Sequence, residues 1–174
     1  MGPPGRGAAR ERGAATGQVG AVVALALYGA LQAVDGVANK QADVAWVSAP
    51  DAEKAARFAS AEAIRWIEWG MRSYHDFALG LALLLFAAVV VRTAGVPRPI
   101  ASLMGLSGLT YLVQGWVLGS EGFSPTHTIL ILLAWVLTLA WMIWLVVVAW
   151  RMRDSGAPFP VAPASSAVSA AERT

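Results

Sequence analysis

From Thr128 to Trp150 the chain runs 23 residues without a charge, bracketed by His127 and by Arg151 and Arg153. At about 1.5 Å per residue, such a segment crosses the ~30 Å hydrocarbon core with some tilt. Its backbone amides can find partners there only within the segment, so it is expected to be helical. Three further apolar stretches precede it. One begins near Gln18 and continues helically through Asp35-Gly36 to about Asn39, and another fills Ile100 to Leu118. The third, Phe77 to Val91, is wholly apolar but only 15 residues long. That is short for a crossing, so its span is extended back to Met71 or Ser73, which brings His75 and Asp76 into the first turns. The pattern predicts an all-α, integral membrane four-helix bundle over 18–153, with spans at about 18–39, 71–92, 100–119 and 128–150.

Between the first two spans, Ser48 followed by Asp51 reads as a capping-box-like start, with Pro50 in the first turn and Glu53 adding negative charge. No proline interrupts Asp51 to Arg92, so one long or bent helix is expected. Residues 51–70 read as an amphipathic extension outside the hydrocarbon core. Lys54, Arg57, Arg65, Glu68, Arg72 and Asp76 recur on one side at helical spacing. Ala52, Ala56, Ala59, Ala63, Ile67, Gly70 and Tyr74 occupy the other. Residues 1–17 contain Gly, Ala, Pro and Arg but no large apolar side chain beyond Met1, and are expected to be a disordered tail, as is the Pro-rich stretch 154–174. Arg6, Arg10 and Arg12 ahead of the first apolar segment also suit a signal peptide. No clear A-x-A site follows, so a retained span is expected.

Composition agrees with the membrane class: 57% hydrophobic, 14% charged, and a mean hydropathy of +0.56. There is no cysteine, which removes disulfide, zinc-ribbon and thiol chemistry. A net charge of +2 gives no reason to expect nucleic acid. Arginine (11) greatly outnumbers lysine (2) in an Ala-, Gly- and Val-rich chain, a bias associated with GC-rich bacteria. The basic residues set orientation. Arg6, Arg10 and Arg12, then Arg92 and Arg98, then Arg151 and Arg153 share one side of a four-span chain, whereas 119–127 has no Lys or Arg. The first connection carries five basic and seven acidic residues between Asp35 and Asp76, the weakest part of the pattern. Both termini are expected in the cytoplasm.

With that orientation, polar groups gather at the outer end. Gln32, Asp35 and Asn39 share a face of the first span. Arg72, His75 and Asp76 open the second, Gln114 lies near the end of the third, and His127 starts the fourth. The plain reading is helix ends near headgroups, with Arg72 snorkelling. The sharper reading is an outward polar pocket, with Asp35 as its charge centre and Arg72 as its partner. His75, Asp76, Glu121 and His127 have ligand types that suit zinc, but match no short metal motif. Two histidines, one per helix, are a weak basis for haem. No metal or cofactor is expected, and no catalytic residue is assigned. In the third span Ser107, Thr110, Tyr111 and Gln114 form a polar stripe beside Gly115-x-x-x-Gly119 and Ala101-x-x-x-Gly105. This is read as packing within the chain in preference to a dimer face. Trp66, Trp69 and Trp150 fit interfacial belts, and Trp135, Trp141 and Trp144 fit packing or lipid contact.

The stretches Asp35-Gly36-Val37-Ala38-Asn39-Lys40, Trp46-Val47-Ser48-Ala49-Pro50 and Ala61-Glu62-Ala63-Ile64-Arg65-Trp66 resemble a group of actinobacterial multi-pass membrane proteins filed as a domain of unknown function. The resemblance covers roughly 20–150 and rests on motifs of low specificity. Larger members carry further spans before the region corresponding to Gln18, so a short or misassigned start is one reading of this N-terminus. The resemblance implies no activity. Three function classes follow from the residues. The first is a structural or accessory membrane protein binding lipid or a membrane-protein partner. The second is a small transporter or channel subunit acting as a homo-oligomer, although no span has a proline-broken centre. The third is an intramembrane enzyme using the outer carboxylates and histidines, although no nucleophile–base spacing is present.

Overall fold

The computed structural model describes residues 5–92 and 96–154, and all regular structure among them is helical. In chain order these are α1 (Gly5–Ala33), a π-helical segment (Val34–Asn39), α2 (Lys40–Val47), α3 (Asp51–Val90), α4 (Arg98–Glu121) and α5 (Pro125–Asp154). Among the described residues four helices are long and apolar enough to cross a membrane: Gly13–Val47, α3, α4 and Pro125–Arg153.

α3 has 40 residues, which is roughly 60 Å and about twice the hydrocarbon thickness. α2 runs back along its first half. Asp43 meets Arg65 at 3.7 Å, and Trp46 packs on Phe58 with ring centroids 5.3 Å apart. The reversal between them differs from the capping box expected. Ser48 Oγ donates to the Val44 carbonyl at 2.7 Å, closing α2 instead of opening α3. Pro50 is the N-cap, with ψ 154° and no side-chain cap bond. Asp51 and Glu53 then meet the positive end of the helix.

Burial within 51–70 falls on the charged side of the helix. Ala61 and Glu68 are its buried residues, while Ile67 and Tyr74 on the apolar side are 56% and 69% exposed. The reason is α2 and the π-helical segment, which lie against the charged side and supply polar partners to it. The N-terminal expectation also needs correction. Residues 5–17 are helical, not a disordered tail. Ala and Arg favour helix, and no proline follows Pro4 within it. Small side chains there allow close approach: a Cβ on Gly17 would lie 3.0 Å from the Phe86 ring of α3. Residues 1–4, 93–95 and 155–174 lie outside the described residues, as does most of the expected C-terminal tail.

α3 and α4 make the closest helix pair. A Cβ on Gly80 would stand 2.7 Å from the Gly108 carbonyl oxygen, and one on Gly108 2.8 Å from that of Gly80. Gly115 and Gly119 approach Ser73 on the same side, and Gly105 approaches Ala87. The small-residue motifs of α4 therefore pack within the chain. Beyond this crossing, Leu83, Ala87, Met104, Tyr111 and Ala134 form an apolar core. α3 contacts α1 and α4, and α4 contacts α5, but α1 and α5 share no Cα pair within 8 Å among the described residues. The bundle is thus open along one seam.

Candidate functional site

The polar end of the bundle is built on one stripe of α3: Glu68, Arg72 and Asp76, four residues apart. Glu68 and Asp76 are 5% and 2% exposed. Glu68 Oε2 accepts from Asn39 Nδ2 at 2.7 Å. Its Oε1 accepts from Arg72 Nη2 at 3.3 Å, and the same nitrogen donates to Asp35 Oδ2 at 3.2 Å. One guanidinium therefore serves two carboxylates. It also lies over the Phe123 ring, 5.5 Å from the centroid, while its Nε is buried without a partner.

The π-helical segment supplies the α1 side. Its wider turn inserts a residue and shifts the face presented downstream. Asn39 is turned inward toward Glu68, while the Asp35 side chain stays 43% exposed. The Asp35–Arg72 pair anticipated from the sequence is therefore present, but Glu68 is its more deeply buried partner. The sequence reading placed Glu68 in the charged stripe of α3 but not in the outer pocket; its spacing from Arg72 and Asp76 was the available signal.

One turn further along, Asp76 Oδ2 accepts from Gln114 Nε2 at 3.0 Å and Oδ1 receives His75 Nδ1–H at 3.2 Å. The His75 ring meets Tyr28 of α1 at 5.5 Å. Gln114 is 2% exposed, and its Oε1 has no partner. His127, 4% exposed, sits edge-on to Phe123, which in turn meets Trp69. Gly122 makes that turn possible. Its φ of +69° suits glycine, and a Cβ would collide with the Trp69 ring at 2.7 Å.

Two cavities flank the Asp35–Arg72 pair, and both residues line each. One, about 600 Å³, lies toward α2 and includes Asn39, Asp43, Arg65 and Glu68 in its wall. The other, about 500 Å³, occupies the open seam and is lined by residues of α1, α3, α4 and α5. Of the eight residues anticipated for an outer pocket, Gln32, Asp35, Arg72, His75, Asp76 and Gln114 line this seam cavity. Asn39 belongs to the other cavity, and His127 sits behind Phe123. His75, Asp76, Glu121 and His127 do not assemble as a metal-ligand group among the described residues.

Residues 11–149, which take in both cavities and all but the last few residues of the four apolar helices, match a domain of unknown function, DUF4386. The chain belongs to the DUF4386 family. No curated protein and no solved structure matches it. Sequence reasoning missed three aromatic contributors within the DUF4386 domain: Tyr28, Tyr111 and Trp135 also border the seam cavity. Trp135 had been assigned to packing or lipid contact, and at 57% exposure it stands at the mouth.

Proposed function

We propose that this DUF4386 protein is a multi-pass accessory protein of a bacterial cell membrane, with both termini cytoplasmic, that binds an amphiphile of the lipid class in the seam between α1 and α5. The observation that carries this reading is the 500 Å³ cavity in that seam. Its volume is in the range of small-molecule sites, roughly 300–1,000 Å³. Its wall combines Arg72 and Asp76 of the charged α3 stripe with the apolar Leu31, Leu79 and Ile131. The open seam gives an alkyl chain a sideways route from the bilayer, while the polar end accommodates a headgroup.

The remainder of the bundle favours binding over conduction. No charged residue is buried on the far side of the Gly80–Gly108 crossing among the described residues, and the core there is apolar. The hydroxyls of Ser73, Ser107 and Thr110 donate to backbone carbonyls, which counts against their use as nucleophiles.

Native mass spectrometry of the full chain extracted from lipid nanodiscs is expected to show one retained amphiphile per chain. Ile131→Trp, which fills the cavity from α5, should remove it while leaving helicity unchanged. Absence of any retained amphiphile, or retention unaffected by the tryptophan, would contradict the reading. For orientation, a reporter fused at Thr174 and one fused after Gly122 should lie on opposite sides of the membrane. The same side for both would refute the topology.

A further inference from the structure

The seam cavity is acidic and aromatic, and the guanidinium in its wall, that of Arg72, is already engaged. On the reading that it binds an amphiphile, we infer that the headgroup it selects is an alkylammonium bearing N–H donors. Arg72 is shared between Asp35 and Glu68 through one nitrogen, so this trio retains a negative charge. Asp76 receives a side-chain amide and the His75 imidazole, which is a charged partner only when protonated, and among the described residues no Lys or Arg lies within ion-pair distance of it. A carboxylate this deeply buried calls for a positive partner.

Gln114 supplies an independent observation. The Asp76 carboxylate accepts hydrogen bonds, so the glutamine must turn its Nε2 toward it. Its Oε1 is thereby left as a buried acceptor without a donor at the cavity wall. An ammonium N–H answers both the unmet acceptor and the unmet charge. Tyr28, Tyr111 and Trp135 offer aromatic surface around the same space, which also favours a cation. A phosphate head fits poorly, because Asp35 and Asp76 would face it and Arg72 is occupied.

The test uses the full chain in neutral phosphatidylcholine nanodiscs, with empty discs as baseline. Octylammonium, octyl glucoside and octyl phosphate are titrated by calorimetry. Octylammonium is expected to bind on the order of tenfold tighter than the glucoside, and the phosphate more weakly than either. Asp76→Asn should abolish this preference, whereas Glu62→Gln, an exposed acid away from the cavity, should preserve it. If Asp76→Asn does not fold, Tyr28→Ala and Trp135→Ala remove the aromatic surface at exposed positions and should each reduce the preference. Two competition arms locate the source. Displacement by ethylammonium alone indicates a free amine, and displacement only by phosphatidylethanolamine in the disc indicates a lipid head; either supports ammonium selection. Equal binding of all three heads, or preference for phosphate, overturns the inference while leaving amphiphile binding intact. Failure of all three to bind overturns both.

Discussion

Replacing Arg72 by glutamine is expected to destabilise the protein by about 3 kcal/mol, because it leaves a buried carboxylate without its counter-charge. The partner that decides this is Glu68, whose side chain is 6% exposed, and not Asp35, which is 43% exposed. Coulomb attraction at Asp35 is screened by water, so Asp35→Asn should cost about 1 kcal/mol or less. Glu68→Gln keeps an acceptor for Asn39 but removes the charge, and its cost should fall between the two. Double-mutant cycles measured by equilibrium unfolding in mixed micelles separate these terms. Coupling of Arg72 with Glu68 should exceed its coupling with Asp35. Equal couplings, or a larger one for Asp35, would mean that the carboxylates are solvated differently from the geometry described.

Much of this arrangement was legible from the sequence. Thr128 to Trp150 could only be a membrane-length helix, and the absence of proline from Asp51 to Arg92 foretold the single long α3. The Asp35–Arg72 meeting followed from hairpin topology and shared depth. Three features were hidden for physical reasons. Amphipathicity places apolar residues inward when water is outside; around Ile67 and Tyr74 the apolar side is outward, and the polar side finds its partners in α2 and the π-helical segment. The π-helical segment itself has no periodic signature, since it shifts register by one residue at Val34–Asn39. The cavity depends on α1 and α5 failing to meet, a tertiary fact that no local pattern encodes. The small side chains of α1 misled in the opposite direction. They lack bulk to fill a core, yet that same lack lets α1 approach Phe86 and Ala82.

Gly80→Ala and Gly108→Ala should each cost about 2–3 kcal/mol, at the upper end of what overpacking usually costs. At both positions the obstructing atom is a backbone carbonyl oxygen on the facing helix, at 2.7 and 2.8 Å, and no rotamer change can remove it. Leu112 and Leu84 close the remaining space at 2.9 and 3.0 Å. The helices must therefore separate, which also strains the Asp76–Gln114 bond and the Ser73–Gly115 bond, one and two turns away along α3. Gly29 and Gly70 provide the contrast, because a Cβ at either meets nothing within 4 Å. Alanine there should be neutral or stabilising by up to about 1 kcal/mol, through helix propensity alone. The Gly80→Ala/Gly108→Ala double variant should cost less than the sum of its parts, since separation forced by the first methyl makes room for the second. Unfolding in mixed micelles measures all five. If Gly80→Ala behaves like Gly70→Ala, α3 and α4 do not cross where these glycines meet.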